Sequence, residues 1–402
     1  MMVQGARTTD GRMACRLAVL LAAVSLAACS GMSPGDSFTG TSAVSNPPEG
    51  GGSIGTGQVK AGLILPLSAS GNAGAAGTSM RSAAELALAE FNVTELQLLI
   101  KDDGGNAPGA RQVAQQAVDE GAEIILGPIF AHSVSPVGQI ARSRNVPVIA
   151  FSTDANVATR GVFLLSFLPE SDVDRVVGYA MSQGKKSFAA AIPDNAYGSV
   201  AEAAFKQSIA RRGGRLVALE RYPADRSQMQ AAIRNVAQTA ATRADAIFIP
   251  DGSDTAPAVV QALTASGLDL KRVQILGSGL WEDPQIFTNA ALEGAWYAGP
   301  DSTGFRNFSS RFRTRYGQDP ARTASLAYDA VALVSALTKT HGDQRFSEQV
   351  LINSSGFTGI DGLFRFRADG TNQRGLAVMR VTPSGGQVIS PAPKAFNGAG
   401  SG

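Results

Sequence analysis

Short apolar runs alternate with stretches of helical period along most of this chain, and they do so in two successive series. The first series opens with Val59–Leu67, a continuous apolar stretch ended by Pro66 and small polar residues, which reads as a buried strand. Thr78–Phe91 follows as an Ala-rich helix whose apolar face is Met80, Ala84, Leu86, Ala87 and Phe91. Leu96–Ile100, Glu123–Leu126 and Val146–Phe151 read as further strands, with helices at Gly109–Glu120 and Ser133–Arg144. The second series runs through helices Asp172–Ser182, Ser199–Arg212, Gln228–Gln238 and Thr255–Ser266, between strands Phe188–Ile192, Arg215–Arg221, Ala246–Pro250 and Val273–Leu276. Such alternation is the signature of an α/β protein with doubly wound parallel sheets, here two units joined near Leu168-Pro169-Glu170. Helices Gly304–Tyr316 and Ala324–Thr340, then strands Leu363–Arg367 and Ala377–Val381, suggest that the chain crosses back between the units.

The N-terminus fixes the compartment. Arg7, Arg12 and Arg16 precede an apolar stretch, Leu17–Val24, that is too short to span a bilayer. Small residues then lead into Leu26-Ala27-Ala28-Cys29, which looks like a bacterial lipobox: Cys29 would be lipidated and residues 1–28 removed. A plain signal peptide cleaved near Ala28, or an N-terminal membrane helix, is the alternative. Ser30 rather than an acid follows the cysteine, which by resemblance to lipoprotein sorting favours the outer membrane. Residues 29–56 are mostly Gly, Ser and Pro and read as a flexible tether; 391–402 read as a disordered tail. The second cysteine, Cys15, lies inside the leader, so the mature body has no thiol pair for a disulfide or metal site. Without Arg7, Arg12, Arg16 and Asp10 the chain carries 32 basic and 32 acidic residues. That balance argues against a nucleic-acid partner or a polybasic membrane patch. Membrane contact is expected through the N-terminal anchor only.

Several motifs occur together in the order of one known family. They are Gly62-Leu-Ile-Leu-Pro-Leu67, Asp102-Asp-Gly-Gly-Asn106, Gly127-Pro-Ile129, Val146–Asp154, Asp194-Asn-Ala-Tyr-Gly198, Tyr328-Asp329-Ala330 and Gly359–Arg367. Over roughly residues 59–385 the chain resembles the type I periplasmic binding proteins of the leucine/isoleucine/valine-binding branch. It also looks close to the lipoproteins that activate penicillin-binding proteins. The resemblance implies two Rossmann-like lobes joined by three crossovers and closing on a small polar ligand. On that basis lobe 1 is expected at 57–168 plus 300–356, and lobe 2 at 169–299 plus 357–390.

Ligands of open parallel sheets bind beyond the carboxyl ends of the strands. Phe130-Ala131-His132-Ser133 opens a helix after one such strand, and Ser152-Thr153-Asp154 follows the next. Free N–H groups at a helix start, with a hydroxyl nearby, suit a carboxylate. The resemblance places carboxylate contacts at Ala131, Ser152 and Asp154, a closing tyrosine at Tyr197, and further contacts at Gly252-Ser253 and Gly279. Amino-acid-binding relatives carry hydroxyls where this chain has Ala131 and Asp154, and an ammonium-binding acid near the position of Gly279. Asp154, Asp251 or Glu282 would have to pair an ammonium group from another direction. Each position also has a structural reading. Ser152, Thr153 or Asp154 can cap the next helix, His132 can be a surface or capping group, and Tyr197 can pack at a helix start; Trp281, which in a cleft offers an aromatic platform to a ligand, can instead line a wall.

Enzyme classes find little support. Gly71-Asn-Ala-Gly74-Ala-Ala-Gly77 after the first strand, with Asp102-Asp103 after the second, invites a dinucleotide reading, but the glycine spacing is wrong for it. The only histidines are His132 and His341, no G-x-S-x-G elbow occurs, and no zinc motif is present. The carboxylate pairs Asp102-Asp103 and Glu282-Asp283 are adjacent in sequence and need not converge. No catalytic residue, cofactor or metal is assigned. Two functions remain. One is a solute receptor handing an amino-acid-like molecule to an ABC permease. The other is an envelope scaffold that activates a peptidoglycan synthase, a penicillin-binding protein, by protein–protein contact.

Overall fold

The computed structural model describes residues 51–396. The first sheet contains Gly52–Ile54 (β1), Val59–Leu65 (β2), Leu96–Asp102 (β3), Ile124–Leu126 (β4), Val148–Ala150 (β5) and Val162–Leu164 (β6), in the order β1-β3-β2-β4-β5-β6. Every pairing is parallel except β1, which lies antiparallel to β3 at the edge. Its parallel strands are buried on both faces, which is why they read as continuous apolar runs. Helix Gly71–Phe91 (α1) packs on one face; Ala107–Asp119 (α2) and Ala131–Ser143 (α3) cover the other. The Asn106 side chain accepts a hydrogen bond from Gly109 N at 2.8 Å and starts α2.

The chain then leaves this sheet through Leu165–Leu168. Helices Pro169–Ser182 (α4) and Ala196–Arg211 (α5) pack on one face of a second sheet, and Arg226–Arg243 (α6) with Ala256–Ala265 (α7) on the other. The parallel part of this sheet is Ser187–Pro193 (β7), Arg215–Tyr222 (β8), Ala246–Phe248 (β9), Gln274–Leu276 (β10) and Trp296–Gly299 (β11). Beyond a short helix at Pro284–Phe287 (α8), the chain returns to the first lobe as Ser302–Tyr316 (α9) and Ala324–Thr340 (α10); α10 lies against α1. A small antiparallel sheet follows, Phe357–Gly359 (β12), Gly362–Phe366 (β13) and Asn372–Arg374 (β14). The last strands, Ala377–Thr382 (β15) and Gly385–Ser390 (β16), add antiparallel to β11 and give the order β16-β15-β11-β10-β9-β7-β8.

The chain therefore passes between the sheets three times, and the crossings are stitched together. Asn372 Nδ2 donates to Leu164 O and Ser166 O at 2.9 and 2.8 Å, and Arg374 Nε to Ser166 O at 2.9 Å, so the third crossing is tied to the first.

Three sequence expectations need correction. Residues 357–374 do not join the second lobe: Phe357, Phe364 and Phe366 pack into the first lobe's core, and only β15 and β16 extend the second sheet. The tether ends before residue 52, because Ser53 and its neighbours find an open strand edge at β3 that composition does not reveal. The tail is ordered through residue 396: Arg175 donates to Pro391 O at 3.3 Å, and the Arg365 guanidinium lies 4.6 Å from the Phe396 ring centroid. The leader, Cys29, the rest of the tether and residues 397–402 lie outside the described residues.

Candidate functional site

The loops beyond the parallel strands bring the two lobes' charged groups together. On the first lobe, α3 starts at Ala131 with no side chain capping it, a helix start whose first N–H groups suit an anion. Gly127, just before this loop, has φ +97°, and a Cβ there would stand 2.1 Å from Ile64 O, so only glycine permits the turn. His132 Nε2 is 3.0 Å from Gly105 O, and its ring stacks on Phe130 with centroids 5.5 Å apart, so it holds the loop in place. Ser133 is fully buried beside Asp103. Ser152 is buried and its Oγ accepts from Asp154 N at 3.1 Å; Thr153 is exposed. Asp154 Oδ1 accepts from Asn156 N at 3.0 Å and Nδ2 at 2.9 Å, capping the short helical turn that follows. The capping reading of Asp154 is therefore realised. One of its oxygens is engaged, which draws the carboxylate towards its own turn.

The second lobe supplies what the sequence reading missed. Asp172, on the first turn of α4, is only 7% exposed, and its Oδ2 accepts from Gly279 N at 3.1 Å. An acid does stand at Gly279, contributed by a residue 107 positions earlier. Gly279 is required for this approach, since a Cβ would meet Asp172 Oδ2 at 2.6 Å. Burial pushes the Asp172 carboxyl up to about 7, opposed by the Gly279 hydrogen bond and by Arg374, and helped by the charge of Glu170. Glu170 is itself raised by burial and by Asp154 across from it, and its Oε2 is buried without a hydrogen-bond partner. The one signal in the sequence was position: both acids lie directly after the first crossing.

Tyr197, at the start of α5, donates to Ser278 Oγ at 2.9 Å. Burial raises its hydroxyl's pKa, and Asp172, Asp251 and Glu170 add to the effect, so it stays neutral and can donate or accept. The Asn195 cap, accepting from Gly198 N at 2.7 Å, starts α5 three residues ahead of the expected Ser199 and so fixes Tyr197 on the helix's first turn. The remaining expectations resolve as structure. Trp281 is fully buried and donates from Nε1 to Asp251 O at 2.9 Å, so it is a wall, and no platform for a ligand ring. Asp251 Oδ2 accepts from Tyr222 at 2.6 Å and Oδ1 from Gly252 N at 2.8 Å, which occupies its carboxylate. Ser253 donates to Asp283 at 3.1 Å, and Glu282 accepts from Tyr297 at 2.6 Å, so neither Asp251 nor Glu282 is free to pair an ammonium group.

The dinucleotide reading fails on geometry. Gly71–Gly77 forms the first two turns of α1, with no phosphate loop between strand and helix. Asp102 Oδ1 accepts from Gly104 N and Ser68 N, and Asp103 Oδ1 from Gly105 N, so both acids shape the turn. Among the described residues, no cluster of three or more His, Cys, Asp or Glu is placed to hold a metal ion.

Residues 58–387 match the family model described as periplasmic binding protein. The chain belongs to the periplasmic binding protein family. Solved structures share the fold of this binding protein. A putative branched-chain amino acid ABC transporter protein from Rhodospirillum rubrum is 23% identical, with TM-score 0.73 over 82% of this chain and 99% of that one. The branched-chain amino acid transporter substrate-binding protein of Streptococcus pneumoniae, solved with isoleucine, is 20% identical at TM-score 0.57, covering 83% and 99% of the two chains. A Rhodopseudomonas palustris solute-binding protein, solved with 3,4-dihydroxybenzoic acid, is 19% identical at TM-score 0.60, covering 85% and 98%. Among curated proteins, an uncharacterized protein of Rickettsia prowazekii is 22% identical over 158 residues, 39% of this chain and 41% of its own length.

Proposed function

We propose that this periplasmic binding protein captures a small zwitterionic solute, an amino acid or close relative, and serves as the solute-binding component of an ABC transporter. It grips and releases its ligand without a covalent step. The observation that carries the reading is Asp172, a buried carboxylate on the second lobe held against Gly279 N, while the first lobe offers the uncapped start of α3 beyond its strand ends. An uncapped helix start suits a carboxylate, and a buried acid suits an ammonium group. A molecule carrying both would satisfy each lobe with one end and draw them together. Tyr197, Ser152 and the N–H groups of Ala131 and His132 complete the polar contacts in this reading. Cys29 is the proposed lipid attachment, holding the body at the periplasmic face of a membrane.

Calorimetric titration of the purified protein with a panel of amino acids, together with membrane fractionation, tests this. Micromolar binding of an amino acid, abolished by Asp172→Asn, is the expected result, and the fractionation reads which membrane holds the anchor. Outer-membrane location with no amino-acid heat would overturn it in favour of the scaffold that activates a peptidoglycan synthase.

A further inference from the structure

On the flank of the crossings lies a cavity of about 740 Å³, between α4, the end of α5, β13 and β14, and the ordered chain end at Pro391–Phe396. It falls in the size range of small-molecule sites. Six arginines line it: Arg175, Arg211, Arg212, Arg365, Arg367 and Arg374. The acids on its wall are fewer: Glu170, Asp174 and Asp369. Asp174 is shared by Arg211 and Arg212, each at 2.6 Å, and Asp369 accepts from Thr371.

The other arginines are held by neutral partners or by none. Arg175 donates to Leu376 O, Ser390 O, Ser390 Oγ and Pro391 O, all uncharged. Arg365 donates to Gln373 Oε1 and Ser354 O. The Arg367 side chain makes no hydrogen bond or ion pair among the described residues; its backbone bonds Thr371 and Gly370. Arg374 is 5% exposed; its Nε is used by Ser166 O, while Nη1 and Nη2 are buried with no hydrogen-bond partner. Asp361, Asp329 and Asp172 balance Arg374 only through space. Those two nitrogens are sealed away from the cavity, with the guanidinium 4.6 Å from the Phe167 ring centroid and 5.7 Å from that of Phe364, so Arg374 adds positive charge to the wall and no donor.

We propose that this cavity is a second binding site, for a small phosphoryl oxyanion, separate from the cleft that takes the zwitterion. Arg175, Arg365 and Arg367 stand around one space with no acid paired to them, which favours a group with several charged oxygens, and the unengaged Arg367 fork can take two acceptors in parallel. The walls come from both lobes, α4 and α5 on one side and the small sheet on the other, so an occupant would bridge the crossings. The volume leaves room beyond the phosphoryl group itself, for the rest of a phosphate ester or a lipid headgroup.

The test uses the full chain and two probes. The first is inorganic phosphate, titrated by calorimetry at constant ionic strength. The second is phosphatidylglycerol vesicles compared with phosphatidylcholine vesicles, so that any lipid anchor contributes equally to both. Phosphate is expected to bind with a Kd of about 1 mM or tighter, and Arg367→Glu with Arg211→Ala to weaken it about tenfold or more while leaving the melting temperature in place. Extra binding to phosphatidylglycerol, lost in the same variant, supports the site and assigns its occupant as a lipid headgroup. Phosphate binding without that extra vesicle binding supports the site and assigns a soluble phosphate. The proposal is overturned if neither probe binds saturably, or if wild type and variant bind them equally.

Discussion

Replacing Asp172 by asparagine separates the folding cost of a buried carboxylate from its use in binding. In the unfolded chain this carboxyl ionises near 3.8, and in the folded protein at about 7. Between those values the native state keeps a proton that the unfolded state has lost, so stability falls as pH rises through that window. Three pH units of displacement correspond to about 4 kcal/mol, fully felt above pH ~7 and absent below pH ~4. Asparagine has the same shape, and its amide oxygen can still accept from Gly279 N. Asp172→Asn is therefore expected to match wild type in urea unfolding near pH ~4 and to exceed it by up to about 4 kcal/mol near pH ~8. Asp329, also raised to about 7 by burial, titrates in both proteins and cancels in the difference. The same variant should lose amino-acid binding. A variant that is no more stable than wild type at pH ~8, or a difference that does not change with pH, would refute the reasoning.

Three other substitutions test the frame around the site. Trp281→Ala removes a fully buried ring and leaves Asp251 O without its donor, and should cost about 3–5 kcal/mol in urea unfolding. Gly279→Ala puts a methyl group against Asp172 Oδ2 and should weaken ligand binding about tenfold or more, read by calorimetry. Asn372→Ala removes two buried hydrogen bonds that tie the crossings, and should lower stability by about 2 kcal/mol and raise hydrogen exchange at Leu165–Leu168.

The alternating body was legible because the inner strands of the parallel sheets are buried on both faces and the helices cover those faces. Apolar runs such as Val59–Leu65 and Ser187–Pro193 thus announce themselves. Boundaries moved where capping decided them: Asn195 starts α5 early, and the glycines of Gly71–Gly77 join α1 despite their low helix propensity. Allocation of β12–β14 to a lobe was not legible, since it depends on which core receives Phe364 and Phe366, a matter of packing at long range. The site was half legible. Position after a strand picked out Ser152, Asp154 and Tyr197. It also picked out Asp251 and Ser253, whose polar groups are consumed by Tyr222 and Asp283, partners that no local pattern names. Asp172 escaped for the converse reason: it sits in an amphipathic helix turn, where an acid near the start is ordinary.

The placement of charge also decides which solutes this cleft can tell apart. The first lobe offers backbone N–H groups that are the same at every pH, whereas the second offers a carboxyl that changes state near pH ~7. A ligand with both carboxylate and ammonium needs Asp172 ionised, so its affinity should fall about tenfold per unit as pH drops below that value, with protons released on binding. A carboxylate ligand without an amine needs the opposite, because an ionised Asp172 would face it unpaired and repel it, so its affinity should rise over the same range. Titrating one ligand of each kind between pH ~5.5 and ~8 therefore reads the role of Asp172 from the sign of the slope. Equal slopes would place the ligand away from Asp172.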